Sequence, residues 1–326
     1  MSLGKLPFLK SFLARGRPAP EQIDASSSRP PEMTIEDVRK LAAALRASTQ
    51  ATAPQDPVCS IIIPVYNKVE YTFQCLNAVF EAIDRHTTEI IVVDDASTDE
   101  TSSVLKDLGE AVSTVRNTEN VGFVGSCNAG AEKARGRYLV FLNNDTVVLP
   151  GWLDALVETV SGDTSIGAVG SLSLYPNGVV QEAGSIIWRD GSARHYGWGG
   201  SMDDPRFQSA REVDYCSAVS LLVRQDLFRE LGGFDRRYAP GYYEDVDICF
   251  GIRSLGQKVI YQPASRLIHF ESISSAGIPG AMKEHMSPNK EKFRSKWKPI
   301  LDSEHFRKSD RNIERAALRF PTYEGA

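Results

Sequence analysis

The chain has 326 residues, 42% of them hydrophobic and 24% charged, with a formal net charge of -5. That length and apolar content suit one large domain with appendages, and the acidic balance argues against a general nucleic-acid binder, which carries a basic surface. Five cysteines, odd in number and scattered without a C-x-x-C pair, argue against a disulfide framework or a zinc site and fit a reducing cytoplasm.

Taken in chain order, Met1 to Arg17 intersperses Leu3, Leu6, Phe8, Leu9, Phe12 and Leu13 with Lys5, Lys10, Arg15 and Arg17 and holds no acid. This basic amphipathic pattern suits either peripheral contact with an anionic membrane surface, or a frayed tail or a helix that packs on a partner. No apolar run reaches the ~20 residues of a membrane span. Residues 18–33, rich in Pro and Ser, read as a linker, and Thr34 with Glu36-Asp37 opens a helix whose apolar face is Val38, Leu41, Ala42 and Leu45. A second break spans 51–57.

From Cys59 onward, strand and helix alternate. Ser60–Val65, Glu89–Asp95, Val112–Arg116 and Arg137–Leu142 are short continuous apolar runs, as in strands buried on both faces. Between them, residues 70–84, 99–108 and 122–134 carry helical periodicity. Right-handed crossovers and a parallel sheet follow. Beyond Trp152 the spacing predicts strands at 166–172, 179–187, 213–223, 257–261 and 266–270, and helices at 244–255 and 281–298. A long loop lies between at 188–207; its Trp188, His195, Tyr196 and Trp198 suit either sugar stacking or a core.

Ligands of such sheets gather at the strand C-terminal ends. Two acidic clusters lie at such ends, Asp94-Asp95 and Asn143-Asn144-Asp145. Asp94 and Asp95 suit a nucleobase imide or a ribose hydroxyl, with Ser97 and Thr98 capping the next helix. Asp145 suits a divalent cation on a diphosphate, with Asn143 helping through its carbonyl or a water; a polar turn is the alternative. Glu244-Asp245-Val246-Asp247 opens a helix, where acids partner the dipole and one of them can also serve as a base. His269 ends a strand and is either a core histidine or a third metal ligand.

Seven segments in order carry a resemblance to the family 2 glycosyltransferases: Val58–Asn67, Ile91–Asp99, Asn120–Gly130, Phe141–Thr146, Gly232–Asp235, Tyr243–Cys249 and Ile268–Ser272. The resemblance covers roughly two-thirds of the chain and implies the GT-A fold: an α/β, Rossmann-like, mostly parallel sheet flanked by helices. It implies three regions: an N-terminal segment and helix at 1–57, a transferase domain at 58–275 and a helical extension at 276–326. Pro64, Tyr66 and Asn67 would border the nucleotide, Asp95 and Asp94 would meet the base, and Asn128, Asn143 and Asn144 would join the donor contacts. Asp145 would be the second carboxylate of a D-x-D metal motif for Mn2+ or Mg2+, with His269 beside it, and Asp245, flanked by Glu244, would be the base.

The first D-x-D position is Asn143, which weakens cation affinity. The expected activity is inverting transfer from a UDP- or dTDP-sugar to a glycan or lipid-linked glycan, as in bacterial O-antigen synthesis at the inner face of the membrane, alongside other transferase modules. The alternatives are a non-catalytic module with a degenerate metal site and a sugar nucleotidyltransferase.

Overall fold

The structure is a computed structural model that describes residues 33–48, 54–84, 87–270, 281–320 and 322–323. The basic segment 1–17 and most of the linker, with Glu271 and Ser272, lie outside the described residues. Among the described residues, no helix is long and apolar enough to cross a membrane.

Helix α1 (Ile35–Ser48) starts at a reciprocal cap: Thr34 N donates to Asp37 Oδ2 at 3.0 Å, and Asp37 N donates to Thr34 Oγ1 at 3.2 Å. The β/α unit follows as β1 (Cys59–Val65), α2 (Val69–Ala82), β2 (Thr88–Asp94), α3 (Thr101–Asp107), β3 (Ser113–Arg116), α4 (Gly122–Lys133) and β4 (Tyr138–Leu142). Then come β5 (Thr146–Val148), α5 (Trp152–Gly162), β6 (Ile166–Leu174), β7 (Val180–Glu182), β8 (Ser185–Ile187) and β9 (Ala193–His195). The chain closes with β10 (Arg211–Glu212), β11 (Ser220–Arg224), α6 (Gln225–Glu230), α7 (Glu244–Ser254), β12 (Lys258–His269), α8 (Ala281–Glu304) and α9 (Ile313–Ala317).

The main sheet runs β10-β12-β6-β11-β4-β1-β2-β3. β4, β1, β2 and β3 are parallel, and β11 is antiparallel to both β4 and β6. Period-2 alternation divides the strands between two cores. Ile62, Ile91, Val93, Leu139 and Phe141 face α4, α7 and α8, whereas Ile61, Ile63, Ile90, Val92 and Val140 face α1, α2, α3 and α5. Helices on both faces explain why the runs are continuously apolar.

The structure corrects the sequence reading past Trp152. Residues 213–219 are not strand: Val213 N donates to Val259 O, and Tyr215 O accepts from Ser185 N, so this stretch bridges two elements while Tyr215 and Cys216 fill the core. Its apolar spacing reports burial. A Cβ on Gly170 would lie 2.1 Å from Cys216 Cβ, so the crossing needs that glycine. The stretch 179–187 breaks at Gly184, whose φ is +74°. The two strands expected at 257–270 are one, β12, with a register shift between Gln262 and Arg266 at Pro263.

Candidate active site

The loops after β1 and β2 lock together. Asn67, left-handed at φ 57°, accepts through Oδ1 from Thr98 N (2.7 Å) and Asp99 N (3.2 Å), and its own N–H donates to Ser97 Oγ at 2.8 Å. Neither Ser97 nor Thr98 caps α3: Glu100 is its N-cap residue, and Asp99 just before it accepts from Thr101 N at 3.0 Å. Tyr66 stays exposed beside buried Pro64. The adjacent carboxylates part company. Asp94 is 1% exposed and binds Ser97 N and the Arg116 guanidinium, so its expected nucleotide contact gives way to an internal ion pair. Asp95 accepts from Asn117 Nδ2 (2.8 Å), Val121 N (2.9 Å) and Gly122 N (2.9 Å), anchoring the start of α4.

Two of the expected amide contacts are also structural. Asn128 grips the Phe234 backbone at both ends, accepting from its N–H (2.9 Å) and donating to its C=O (2.8 Å). Asn144 Nδ2 donates to Thr72 Oγ1 at 3.0 Å, pinning the loop to α2. Both amides are buried and take protein partners.

Asp145 and His269 come together because β5 runs antiparallel to the end of β12, with Thr146 opposite His269. Phe270 N donates to Asp145 O at 2.9 Å. His269 Nε2 lies 3.2 Å from Asp145 Oδ1, and each side chain is 7% exposed. His269 Nδ1 is 2.9 Å from Gln181 Oε1, a contact that orients the ring with Nε2 toward Asp145. Asn143 Nδ2 lies 3.5 Å from that same Nε2. Asp145 Oδ1 is buried and receives no hydrogen bond, and an imidazole nitrogen faces it at 3.2 Å. Such a pair fits a divalent cation that keeps most of its positions for diphosphate and water oxygens. Among the described residues, no group of three or more His, Cys, Asp or Glu is placed to hold a metal ion by itself.

Asp245 sits at the start of α7, after Tyr242 and Tyr243, both left-handed. Its Oδ2 accepts from Ala218 N at 3.3 Å and its Oδ1 from Val246 N at 2.8 Å. Burial raises its pKa above the ordinary carboxyl range. The next residue, Val219, accepts from Asn143 N at 3.0 Å, so residues 218–219 join the base candidate to the cation corner. Asp247 instead ties α7 to α8, accepting from Trp297 Nε1 and Lys296 Nζ, each at 2.7 Å.

Glu244 is buried, its Oε2 has no hydrogen-bond partner, and burial followed by repulsion from Asp245 raises its pKa well above the usual value. A folded pKa above the unfolded one gives stability that is full at acid pH and falls as pH climbs past the ordinary carboxyl range. Glu244→Gln should therefore flatten the decline of unfolding free energy as pH rises above the ordinary carboxyl range, a slope of up to ~1.4 kcal/mol per unit. Parallel denaturation curves for variant and wild type would refute this.

Of the aromatic candidates, Trp188 and Tyr196 belong to the core, while Trp198 is 57% exposed. Sequence reasoning missed Gln181, Glu182 and Arg116. Gln181 and Glu182 sit in an apolar run that reads only as strand, and no local signal marks Arg116 as the partner of Asp94.

The mostly parallel sheet flanked by helices is a fold of the GT-A class. Comparison with known proteins agrees: the family model for "Glycosyl transferase family 2" matches residues 60–232. The chain belongs to glycosyl transferase family 2. Among relatives, the O-antigen biosynthesis protein RfbC of Myxococcus xanthus is 37% identical over 153 residues, 45% of this chain and 12% of that protein. Glycosyltransferase AglE of Haloferax volcanii is 31% identical over 191 residues, 57% of this chain and 58% of that one. The chain thus spans well under two-thirds of either relative. The mannosyltransferase PcManGT from Pyrobaculum calidifontis, in complex with GDP-Man and Mn2+, shares the fold at TM-score 0.56 and 20% identity, covering 82% of this chain and 80% of that one.

Proposed function

We propose that residues 58–275 form an inverting, cation-dependent transferase that moves a sugar from a UDP- or dTDP-sugar to a hydroxyl of a glycan or lipid-linked glycan. The bound state of the mannosyltransferase and the name of the Myxococcus relative support a nucleotide-sugar donor and a role in bacterial surface polysaccharide, at the inner face of the membrane. The observation that carries the reading is the buried Asp145 oxygen facing His269.

Asp145 and His269 would hold the cation, which when bound would supply positive charge against the departing nucleotide diphosphate. Gln181 keeps the His269 ring turned so that Nε2 faces Asp145. Asp95 has used three of about four acceptor positions on its carboxylate, and the remaining one accepts the base imide N–H beside Tyr66. Asp245 takes the acceptor hydroxyl proton as that oxygen attacks the anomeric carbon from the face opposite the diphosphate. Its raised pKa makes it a stronger base than an exposed carboxylate.

A thermal-shift screen of UDP- and dTDP-sugars with and without Mn2+, followed by nucleotide-release assays, tests this. Stabilisation needing donor and Mn2+ together, with release of nucleoside diphosphate, is the expected result. Pyrophosphate release from a nucleoside triphosphate and a sugar phosphate would instead identify a nucleotidyltransferase. Binding without any release would identify the non-catalytic module that neutral Asn143 hints at. Asn143→Asp restores a second carboxylate and should lower the Mn2+ concentration for half-maximal stabilisation roughly tenfold. An unchanged midpoint would remove Asn143 from the cation's surroundings.

A further inference from the structure

Glu182 is a buried carboxylate in β7 that the mechanism leaves unused. Its Oε1 accepts from Ser185 Oγ at 2.8 Å and from Ser217 N at 3.1 Å, and its Oε2 lies 3.5 Å from His195 Nδ1. The very next backbone N–H after Ser217, that of Ala218, goes to Asp245 Oδ2. Two carboxylates therefore take successive amides of one peptide segment, from opposite elements. The β8–β9 pairing sets His195 opposite Ser185, with Ser185 Oγ 2.9 Å from His195 Nδ1. The His195 side chain is 42% exposed, so one end of this chain of contacts reaches solvent and the other reaches Asp245.

We propose that Glu182 is a positioning residue for Asp245, with His195 as its solvent-facing counter-ion, and that this pair sets the pH at which Asp245 can take a proton. The inference rests on Asp245 being the base. Glu182 holds the Ser217–Ala218 segment that orients the Asp245 carboxylate, and its negative charge favours the protonated form of that carboxylate. A protonated His195 acts in the opposite sense. Both influences accord with the direction each exerts on Asp245.

The other titratable groups around Asp245 are Glu244 beside it, Tyr243 before it, Cys249 one turn on in α7, and Tyr215 from the bridging segment. Cys216 and Tyr261 also sense Glu182. Burial raises the pKa of every one of these phenols and thiols, which keeps them neutral through the working range. Burial likewise raises the pKa of Glu244 well above its ordinary value. His195 is the member of this set that lies 3.5 Å from Glu182 with its side chain 42% exposed to solvent.

The test is an NMR titration of the full chain labelled with 13C at the Asp carboxyl carbons, with the Asp245 signal assigned by its disappearance in Asp245→Asn. Glu182→Gln keeps the shape and the acceptor oxygen but loses the charge, and should lower the Asp245 midpoint by about one pH unit. His195→Gln, at a half-exposed site, should raise it. A residue serving only to support the fold would give no such opposed shifts. Unmoved midpoints, or movement of both in one direction, would overturn the proposal. If Glu182→Gln does not fold, His195→Gln decides alone: a raised midpoint supports the proposal and an unmoved one ends it. Retained turnover in Asp245→Asn would remove the base assignment and leave the titration result standing, so the two failures are distinct.

Discussion

Asp245→Asn is expected to lower turnover by about 10²–10⁴-fold, the usual scale of general-base help, while donor affinity stays within a few fold of wild type. The variant keeps one of the two local contacts, because its single amide oxygen can accept from Ala218 N or from Val246 N but its NH2 cannot accept from the other. It also removes a buried ionisable group whose pKa burial raises, so folding should not suffer. The loss should appear in kcat, since the acceptor proton moves only as the transition state forms. Donor affinity, read as the thermal shift with donor and Mn2+, rests on the other side of the Val219 junction and should persist. Near-normal turnover would take the base role from Asp245.

Asp145→Asn and His269→Ala should each abolish donor stabilisation that depends on Mn2+. Removing Gln181, an outer partner, should cost a smaller ~10–100-fold in cation affinity. The backbone bond from Phe270 N to Asp145 O is untouched by the Asp145 change, and the β5–β12 pairing needs no side chain from either residue. Folding should therefore survive, and the deficit should lie in cation binding measured by calorimetry with donor present. Cation affinity equal to wild type in Asp145→Asn would end the assignment of this corner.

The left half of the sheet was legible because both its faces are covered. β1, β2 and β4 then read as unbroken apolar runs, and their ends point to Asp95 and Asp145. The right half was not, since residues 213–219 are apolar for burial rather than pairing, and β12 hides its bulge at Pro263. In the site, acid at a strand end was a fair guide to place but not to role. Asp94 and Asp95 are neighbours, yet one pairs with Arg116 and the other caps α4. Asn128 and Asn144 carry the right chemistry for a ligand and use it on Phe234 and Thr72. Those choices depend on partners far along the chain, which no local pattern encodes. Gln181 and Glu182 were invisible for the same reason.

β12 lies inside the sheet, between β10 and β6, and delivers His269 at its end. The family match stops at residue 232, upstream of both α7 and β12. A fragment cut at that boundary would bare the edge of β6 to other chains, a route to aggregation, and would carry neither Asp245 nor His269. Anyone grafting this transferase into an engineered assembly line should keep the polypeptide at least through Phe270.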